Sequence, residues 1–490
     1  MVAIVMQRMA RLAAGFAGLV FLAMGLAFLL APGQIMGRFG VFPTSNAGYS
    51  TLRGDNGGLL IAAGIFALAG AWNAKARGVM VSAFLIGLVA FGRMVSLLFD
   101  GYASDTVQAL VVELVMIAAL LGAALVFRNA TGLSPLRYFW LAPLLLGVAA
   151  FAFQRPLGLA IAKAAAERAF GEPLISTLPD GLHAGLCGSG SPLPDATRAG
   201  PCVFVIAGQR LYIVDAGDGS TRKLSLMGLP PGQIEAVLLT HFHSDHIGGL
   251  GEMMLQRWAG GSHRDPTPVI GPQGVDSLVE GFNQAYALDK KYRVSHHGEA
   301  TVPPSGSGGV ARPFTLTEGS DAGQVVIDRD GLIVTAFPVP HTPVFPAVGY
   351  RFDYKGRSVV ISGDTAPSQT LAKYAKGADL LFHEGLQTAL VSILQESAAR
   401  HGRTGTAKIL GDIPPYHTTP EDAARVAQQA GVRQLVFYHI IPPLPSPFLN
   451  AAFLGDAGKI FSGPIKVGKD GLMVSLLPGS GGAISMRELL

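Results

Sequence analysis

The stretch Ala236-Val-Leu-Leu-Thr-His241-Phe-His243-Ser-Asp245-His246 packs three histidines and an aspartate into six residues directly after a short apolar run. The run reads as a buried strand. Imidazoles at alternate positions past a strand end can converge on one point, and neutral imidazole is the commonest metal ligand. Asp245 and His246, one turn further on, point elsewhere and can begin a second metal site. A solvated polar loop has no need of three histidines and an acid at this spacing, so metal ligation is the expected chemistry.

The arrangement recurs downstream. Leu332-Ile-Val-Thr-Ala-Phe-Pro-Val-Pro leads to His341, Ser358-Val-Val-Ile-Ser-Gly to Asp364, Ala378-Asp-Leu-Leu-Phe to His383-Glu384, and Gln434-Leu-Val-Phe-Tyr to His439. Each histidine alone would more often be structural. Chemistry placed repeatedly at the carboxyl ends of apolar strands is what a sandwich with a site at its sheet edge requires. A further segment, Tyr416-His417-Thr-Thr419-Pro420-Glu-Asp422, carries helix-start signals. Thr419 suits the N-cap and Pro420 the first helical position, and Gly431 suits the C-terminal stop. His417 therefore precedes a positive helix end, where an anion binds well.

The pattern H-x-H-x-D-H, followed in order by His341, Asp364 and His439, resembles the metallo-β-lactamase superfamily. That resemblance implies an αββα sandwich and a two-metal, usually zinc, site. It implies that His241, His243 and His341 hold the first metal, that Asp245, His246 and His439 hold the second, and that Asp364 bridges them. Two Zn2+ ions about 3.5–4 Å apart would lower the pKa of a bridging water toward neutrality and clamp a displaced oxygen. Asp245, His417 and Glu384 are the candidate catalytic groups, with His417 as general acid. Glu384 resembles the acid of a His-Glu-Ala-Thr motif, but Gly385-Leu386 replaces its last two residues and leaves that role open.

The opening Gly188-Ser-Gly190-Ser-Pro192 resembles the ribonuclease Z-like branch of the superfamily, and Gly281–Glu299 resembles its arylsulfatase-like and phosphodiesterase-like members. In the latter segment His296 and His297 could line a substrate entrance or belong to a polar loop. Asp215 could orient a ligand histidine or simply form a turn. Val203–Ile206 and Arg210–Val214 read as a hairpin, Gly248 onward as a helix, Pro303–Arg312 as a flexible loop, and Leu390–Ala399 as part of an insertion that could cap the site. The resemblance spans roughly Gly181 to Pro443 and is specific for fold and metal site, not for substrate.

The elements that must carry these residues occupy only part of the 490-residue chain. A hydrophobic fraction of 49% is high for a purely soluble enzyme, and the excess sits in the first third, which contains no histidine. Leu12–Ala31, Gly57–Trp72, Val79–Phe99, Val107–Phe127 and Tyr138–Phe153 are candidate spans, since about 20 apolar residues cross a bilayer. The first four resemble a small bacterial four-helix membrane domain with no assigned chemistry. Arg8, Arg11, Lys75, Arg77, Arg128 and Arg137 outweigh the basic residues of the alternate loops, which places the N-terminus inside and everything after Phe153 outside. Arg93 and Glu113 lie within spans and either pair with each other or snorkel to the headgroups. Gln154–Phe170 is a helix-forming run, and Cys187 and Cys202, the only cysteines, could form a disulfide in an oxidising compartment.

The expected organisation is an all-α transmembrane domain over residues 1–156, a linker helix over 157–180 and an α/β metallo-β-lactamase-fold hydrolase domain over 181–490. The leading function is a multi-pass inner-membrane zinc hydrolase whose periplasmic domain cleaves a small anionic ester, an aryl sulfate or a phosphodiester. A tRNA 3′-processing endonuclease, a lactone hydrolase and a membrane sensing or transport protein with a ligand-binding domain are the alternatives. A net charge of +4 with no Lys/Arg block argues against a nucleic-acid surface.

Overall fold

The computed structural model describes residues 2–32, 46–99, 104–128 and 154–490. It divides into two compact units, Met1–Ala166 and Glu167–Leu490.

In the first unit, helices cover Val2–Leu30, Leu59–Asn73, Ala76–Phe99 and Ser104–Arg128. Among the described residues, the segments Val5–Leu30, Tyr49–Asn73, Ala76–Ser96 and Val107–Arg128 are long and apolar enough to cross a membrane. The fifth expected span, Tyr138–Phe153, lies outside the described residues, as does Arg137. The second span starts earlier than its apolar run suggested. A π-helical turn over Leu52–Gly58 carries Arg53 and Asp55, expected in a loop, into the same helical rod as Leu59–Asn73. The first two spans lie backbone against backbone: a Cβ on Gly18 would stand 3.0 Å from the Gly64 carbonyl, and one on Gly25 only 2.7 Å from Ile61 N. Such close approach is what small residues give membrane helices. Arg93 and Glu113 pair rather than snorkel apart, with Nε 2.7 Å from Oε1.

In the second unit, two sheets face each other. The first runs β15-β14-β1-β2-β3-β4-β5-β6 and the second β13-β12-β11-β10-β9-β8-β7. In chain order the strands are β1 Leu182–Gly188, β2 Cys202–Ala207, β3 Arg210–Val214, β4 Ile234–Leu238, β5 Thr267–Pro272, β6 Gly309–Phe314, β7 Gln324–Arg329 and β8 Leu332–Pro338. They continue as β9 Val348–Tyr354, β10 Arg357–Ile361, β11 Leu380–Leu386, β12 Gln434–Ile441, β13 Ile465–Val467, β14 Leu472–Leu476 and β15 Ser485–Glu488.

Side-chain alternation explains the layering. On β2, Val203 and Val205 join Val334, Phe352 and Phe382 of the facing sheet in one core between the sheets. Phe204 and Ile206 point the other way, onto Leu250 and Met253 of the helix Leu250–Gly261. On the second sheet, Phe437 packs outward with Ala423 and Ala427 of the helix Pro420–Ala430. The result is the αββα sandwich.

Two local expectations change. Pro303–Arg312, read as a flexible loop, contains a 3-10 turn and most of β6, which pairs in parallel with β5. β6 is an edge strand, where a residue such as Pro313 costs no ladder bond on the open side. The insertion after Glu384 folds as two helices, Thr388–Arg400 and Thr404–Asp412, and of its Val-Ser-Ile-Leu core only Val391 is buried. Cys187 and Cys202 are bonded to each other, joining the end of β1 to the start of β2.

Candidate metal centre

The segment after β4 leaves the sheet and turns through the short helix Ser244–Ile247, so its polar side chains gather at the strand end. The atoms that could bind an ion fall into overlapping groups. His241, His243, His341 and Asp364 each offer an atom within 4.8 Å of the others, as do Asp245, His246 and His439, and Asp364, His417 and His439. Asp364 therefore stands between the first set of histidines and His439. The loop that carries it turns at Gly363, whose φ of +63° brings it within van der Waals limits of the Val348 carbonyl; a Cβ there would lie 2.5 Å from that oxygen.

Two of the ligand candidates, His246 and His341, are held from behind. Asp215, at φ +61°, accepts from Thr240 N, Thr240 Oγ1 and His246 Nδ1, each at 2.8 Å. This fixes the His246 tautomer and turns Nε2 into the cluster. His341 Nδ1 donates to the Tyr416 carbonyl at 2.9 Å, which aims its Nε2 inward in the same way. His439 Nε2 sits 3.2 Å from both Asp245 Oδ2 and Asp364 Oδ2. Glu384 and His439 lie inside β11 and β12, near their carboxyl ends, rather than beyond them.

The donor set fits a metal. Among the described residues, the buried His246 Nε2, His341 Nε2 and Asp364 Oδ1 have no hydrogen-bond partner. Orphaned buried polar atoms are costly, and these belong to the residue groups that could hold a cation, which would satisfy them. The electrostatics agree. Burial, reinforced by the neighbouring His246, keeps His241 well below its ordinary pKa. Burial also lowers His243 and His341 against the pull of Asp364. Neutral imidazole is the form that ligates. At His246 burial acts downward too, but Asp364, Asp245 and Asp215 outweigh it and hold the ring well above its usual value. The three carboxylates thus concentrate negative potential at this ring, where a cation would be favoured. Burial would raise Asp364, yet His439 and His246 drive it well below the usual carboxylate range.

His417 closes one side of the cluster. Its ring stacks 5.6 Å from that of His439 and lies 5.3 Å from that of His341. Its Nδ1 is 3.3 Å from Glu384 Oε1, an ion-pair contact rather than an aligned hydrogen bond, and the same oxygen accepts Thr418 N at 2.7 Å. Burial pushes His417 down, but Glu384 and Asp364 outweigh it and raise its pKa. Behind the loop, Thr419 caps the helix Pro420–Ala430 by accepting Asp422 N, and Gly431 ends it in the left-handed region. His296 and His297 are exposed at the end of the helix Ala287–His297, with rings 4.7 Å apart, and neither belongs to the ligand groups among the described residues. Sequence reading overlooked Tyr416 as the anchor of His341, since a backbone carbonyl carries no residue signal. It also overlooked Ser362, whose Oγ accepts Glu384 N.

Residues 196–449 match the metallo-beta-lactamase superfamily, and residues 9–124 match a domain of unknown function, DUF4345. A Ribonuclease Z of Mycolicibacterium gilvum is 37% identical over 296 residues, covering 60% of this chain and 96% of the relative. A Ribonuclease Z of Mycobacterium bovis is 36% identical over 291 residues, covering 59% and 96%. Among solved structures, the short form of human tRNase Z aligns at 20% identity and TM-score 0.43, over 60% of this chain and 98% of that one. A diphosphatase of the PhnP family aligns at 18% identity and TM-score 0.38, over 60% and 97%.

Proposed function

The chain belongs to the metallo-beta-lactamase superfamily, as a metal-dependent hydrolase of ester bonds with Ribonuclease Z relatives, and from that premise we propose that it hydrolyses small anionic phosphodiesters at a two-zinc centre. The observation that carries the reading is that His246 Nε2, His341 Nε2 and Asp364 Oδ1 are buried and unpartnered within the residue groups that could hold an ion, beside His417. His241, His243 and His341 would hold one ion and Asp245, His246 and His439 the other, with Asp364 between them. Cations bound there would supply Lewis acidity and an activated water.

The chain's own groups do the rest. Asp245, 3.2 Å from His439, is a candidate to orient or deprotonate the attacking water. His417 is the candidate proton donor to the leaving oxygen, with Glu384 fixing its ring. The capped N-terminus of the helix Pro420–Ala430 adds positive potential beside an anionic substrate. Phosphodiester is preferred over aryl sulfate because the relatives named Ribonuclease Z act on that bond class. The N-terminal helices would anchor the enzyme in a bacterial inner membrane with this unit in the periplasm.

A second reading, tRNA 3′ processing, is favoured by 37% identity across 96% of a Ribonuclease Z. Against it, 37 Lys+Arg balance 33 Asp+Glu, which gives little attraction for a polyanion. The test is a panel of bis-aryl phosphodiesters, aryl sulfates, lactones and pre-tRNA, assayed with the detergent-solubilised full chain before and after chelation and zinc readdition. The expected outcome is metal-dependent turnover with the highest kcat/KM on the phosphodiesters. Faster cleavage of pre-tRNA at its 3′ side would replace the small-substrate reading with the second one.

A further inference from the structure

His439 is the one ligand candidate that stands inside a regular strand, and the strand is deformed to present it. On β11–β12 the register jumps: Glu384 faces Tyr438, but Gly385 faces Ile440. His439 is thus the extra residue of a bulge. The packing records the same slip. Val436 and Tyr438 face the core between the sheets, Phe437 faces the outer layer, and Ile440 joins Phe437 there instead of alternating inward with Tyr438. His439 itself has φ +46°, the left-handed region that suits glycine. A histidine keeps that conformation only where its surroundings over-determine it.

The restraint comes from the other sheet. Ile440 N, displaced by the bulge, donates to the Ser189 carbonyl at 3.1 Å. Ser189 is in turn held by Asp470, whose Oδ1 accepts from Ser189 N at 2.9 Å and from Ser189 Oγ at 2.8 Å. Asp470 Oδ2 accepts from Ala199 N at 2.7 Å and lies 3.2 Å from Lys223 Nζ. Arg198 donates to Ser189 Oγ at 2.6 Å and to the Gly468 carbonyl at 2.5 Å. The loop bearing Asp470 is stapled to both sheets, with Gly468 N on the Phe437 carbonyl and Gly471 N on the Leu186 carbonyl, each at 2.8 Å. A buried carboxylate with this many donors is a rigid anchor.

We propose that Asp470 is a positioning residue for the metal centre: through Ser189 it fixes the Ile440 amide and so holds His439 in the left-handed bulge that aims its imidazole at Asp245 and Asp364. The proposal rests on the reading of His439 as a metal ligand. Loss of an outer-shell partner typically weakens metal affinity 10–100-fold.

The test titrates zinc into the chelator-stripped full chain, with a competing chromophoric chelator, and repeats it with cobalt to read the two sites by their absorption bands. Asp470→Asn should bind its first metal as wild type does and its second about 10–100-fold more weakly. Asp379→Asn is the control for loss of a buried acid, because Asp379 is equally buried but engages Arg357 and Ser358 N instead. It should leave both affinities unchanged even where its melting temperature falls. His439→Ala should lose the second metal. If His439→Ala keeps both metals, the ligand reading fails and the proposal falls with it. If His439→Ala loses the second metal while folded Asp470→Asn matches wild type, the positioning role alone is overturned. Should Asp470→Asn not fold, Asp470→Ser, too short to reach both Ser189 and Ala199, takes its place, and an unchanged second-site affinity in that variant overturns the proposal equally.

Discussion

His417 is buried against Glu384 and faces the ligand groups with its other ring edge, and two different roles would give it that placement. As a proton donor it acts on the leaving group, so His417→Ala should lower kcat about 10²–10⁴-fold while leaving metal content intact. The loss should shrink for nitrophenolate leaving groups, which scarcely need a proton, and grow for alkyl ones. As a substrate-binding group it would mainly raise KM. A leaving-group series on wild type and variant, with metal content and melting temperature measured alongside, separates the two. Equal losses across the series would remove the general-acid role.

At the scale of elements, the Cys187–Cys202 bond ties adjacent strands next to the loop that carries Ser189. With the cysteines 15 positions apart, closing that loop in the unfolded chain is worth about 3 kcal/mol. The Cys187→Ala/Cys202→Ala variant should lose stability of about that size in denaturant titration of the solubilised chain. Close packing around the bond leaves no room for slack, since a Cβ on Gly188 would sit 1.7 Å from the Gly200 carbonyl. A double variant as stable as wild type would show that the bond adds nothing beyond this packing.

For the whole molecule, the parity of membrane crossings decides which compartment the hydrolase unit meets. The four described apolar helices by themselves return the chain to the side of the N-terminus, and a further crossing in 138–153 would put Glu167–Leu490 on the opposite side. Arg8 and Arg11 before the first helix and Lys75 and Arg77 between the second and third favour an inside N-terminus. A disulfide favours an oxidising compartment for the second unit. A reporter fused after Gly171 should therefore behave as periplasmic. Cytoplasmic activity of the fusion would establish an even number of crossings, place the cysteines in a reducing compartment and give the enzyme access to tRNA.

The ligand-bearing segments were legible because residue type and strand periodicity are local properties. Three histidines and an acid after an apolar run need no tertiary information to suggest a metal, and Thr419-Pro420 with Gly431 marks both ends of its helix in the same way. The sequence determined that the chain carries an α/β sandwich enzyme behind apolar helices. It did not reveal β6, because Gly309 and Pro313 read as loop residues and only Phe314 of the strand is buried, which leaves little apolar pattern to display. Nor could it choose between pairing and snorkelling for Arg93 and Glu113, since that depends on how two helices face each other. The supports of the site were hidden for a related reason. The Tyr416 carbonyl behind His341, the Ser189 carbonyl on Ile440 N and the carboxylate of Asp470 act across 75, 251 and 281 positions of chain respectively. Backbone carbonyls are the same at every residue, and an aspartate beside a glycine reads as a turn until the two sheets close around it.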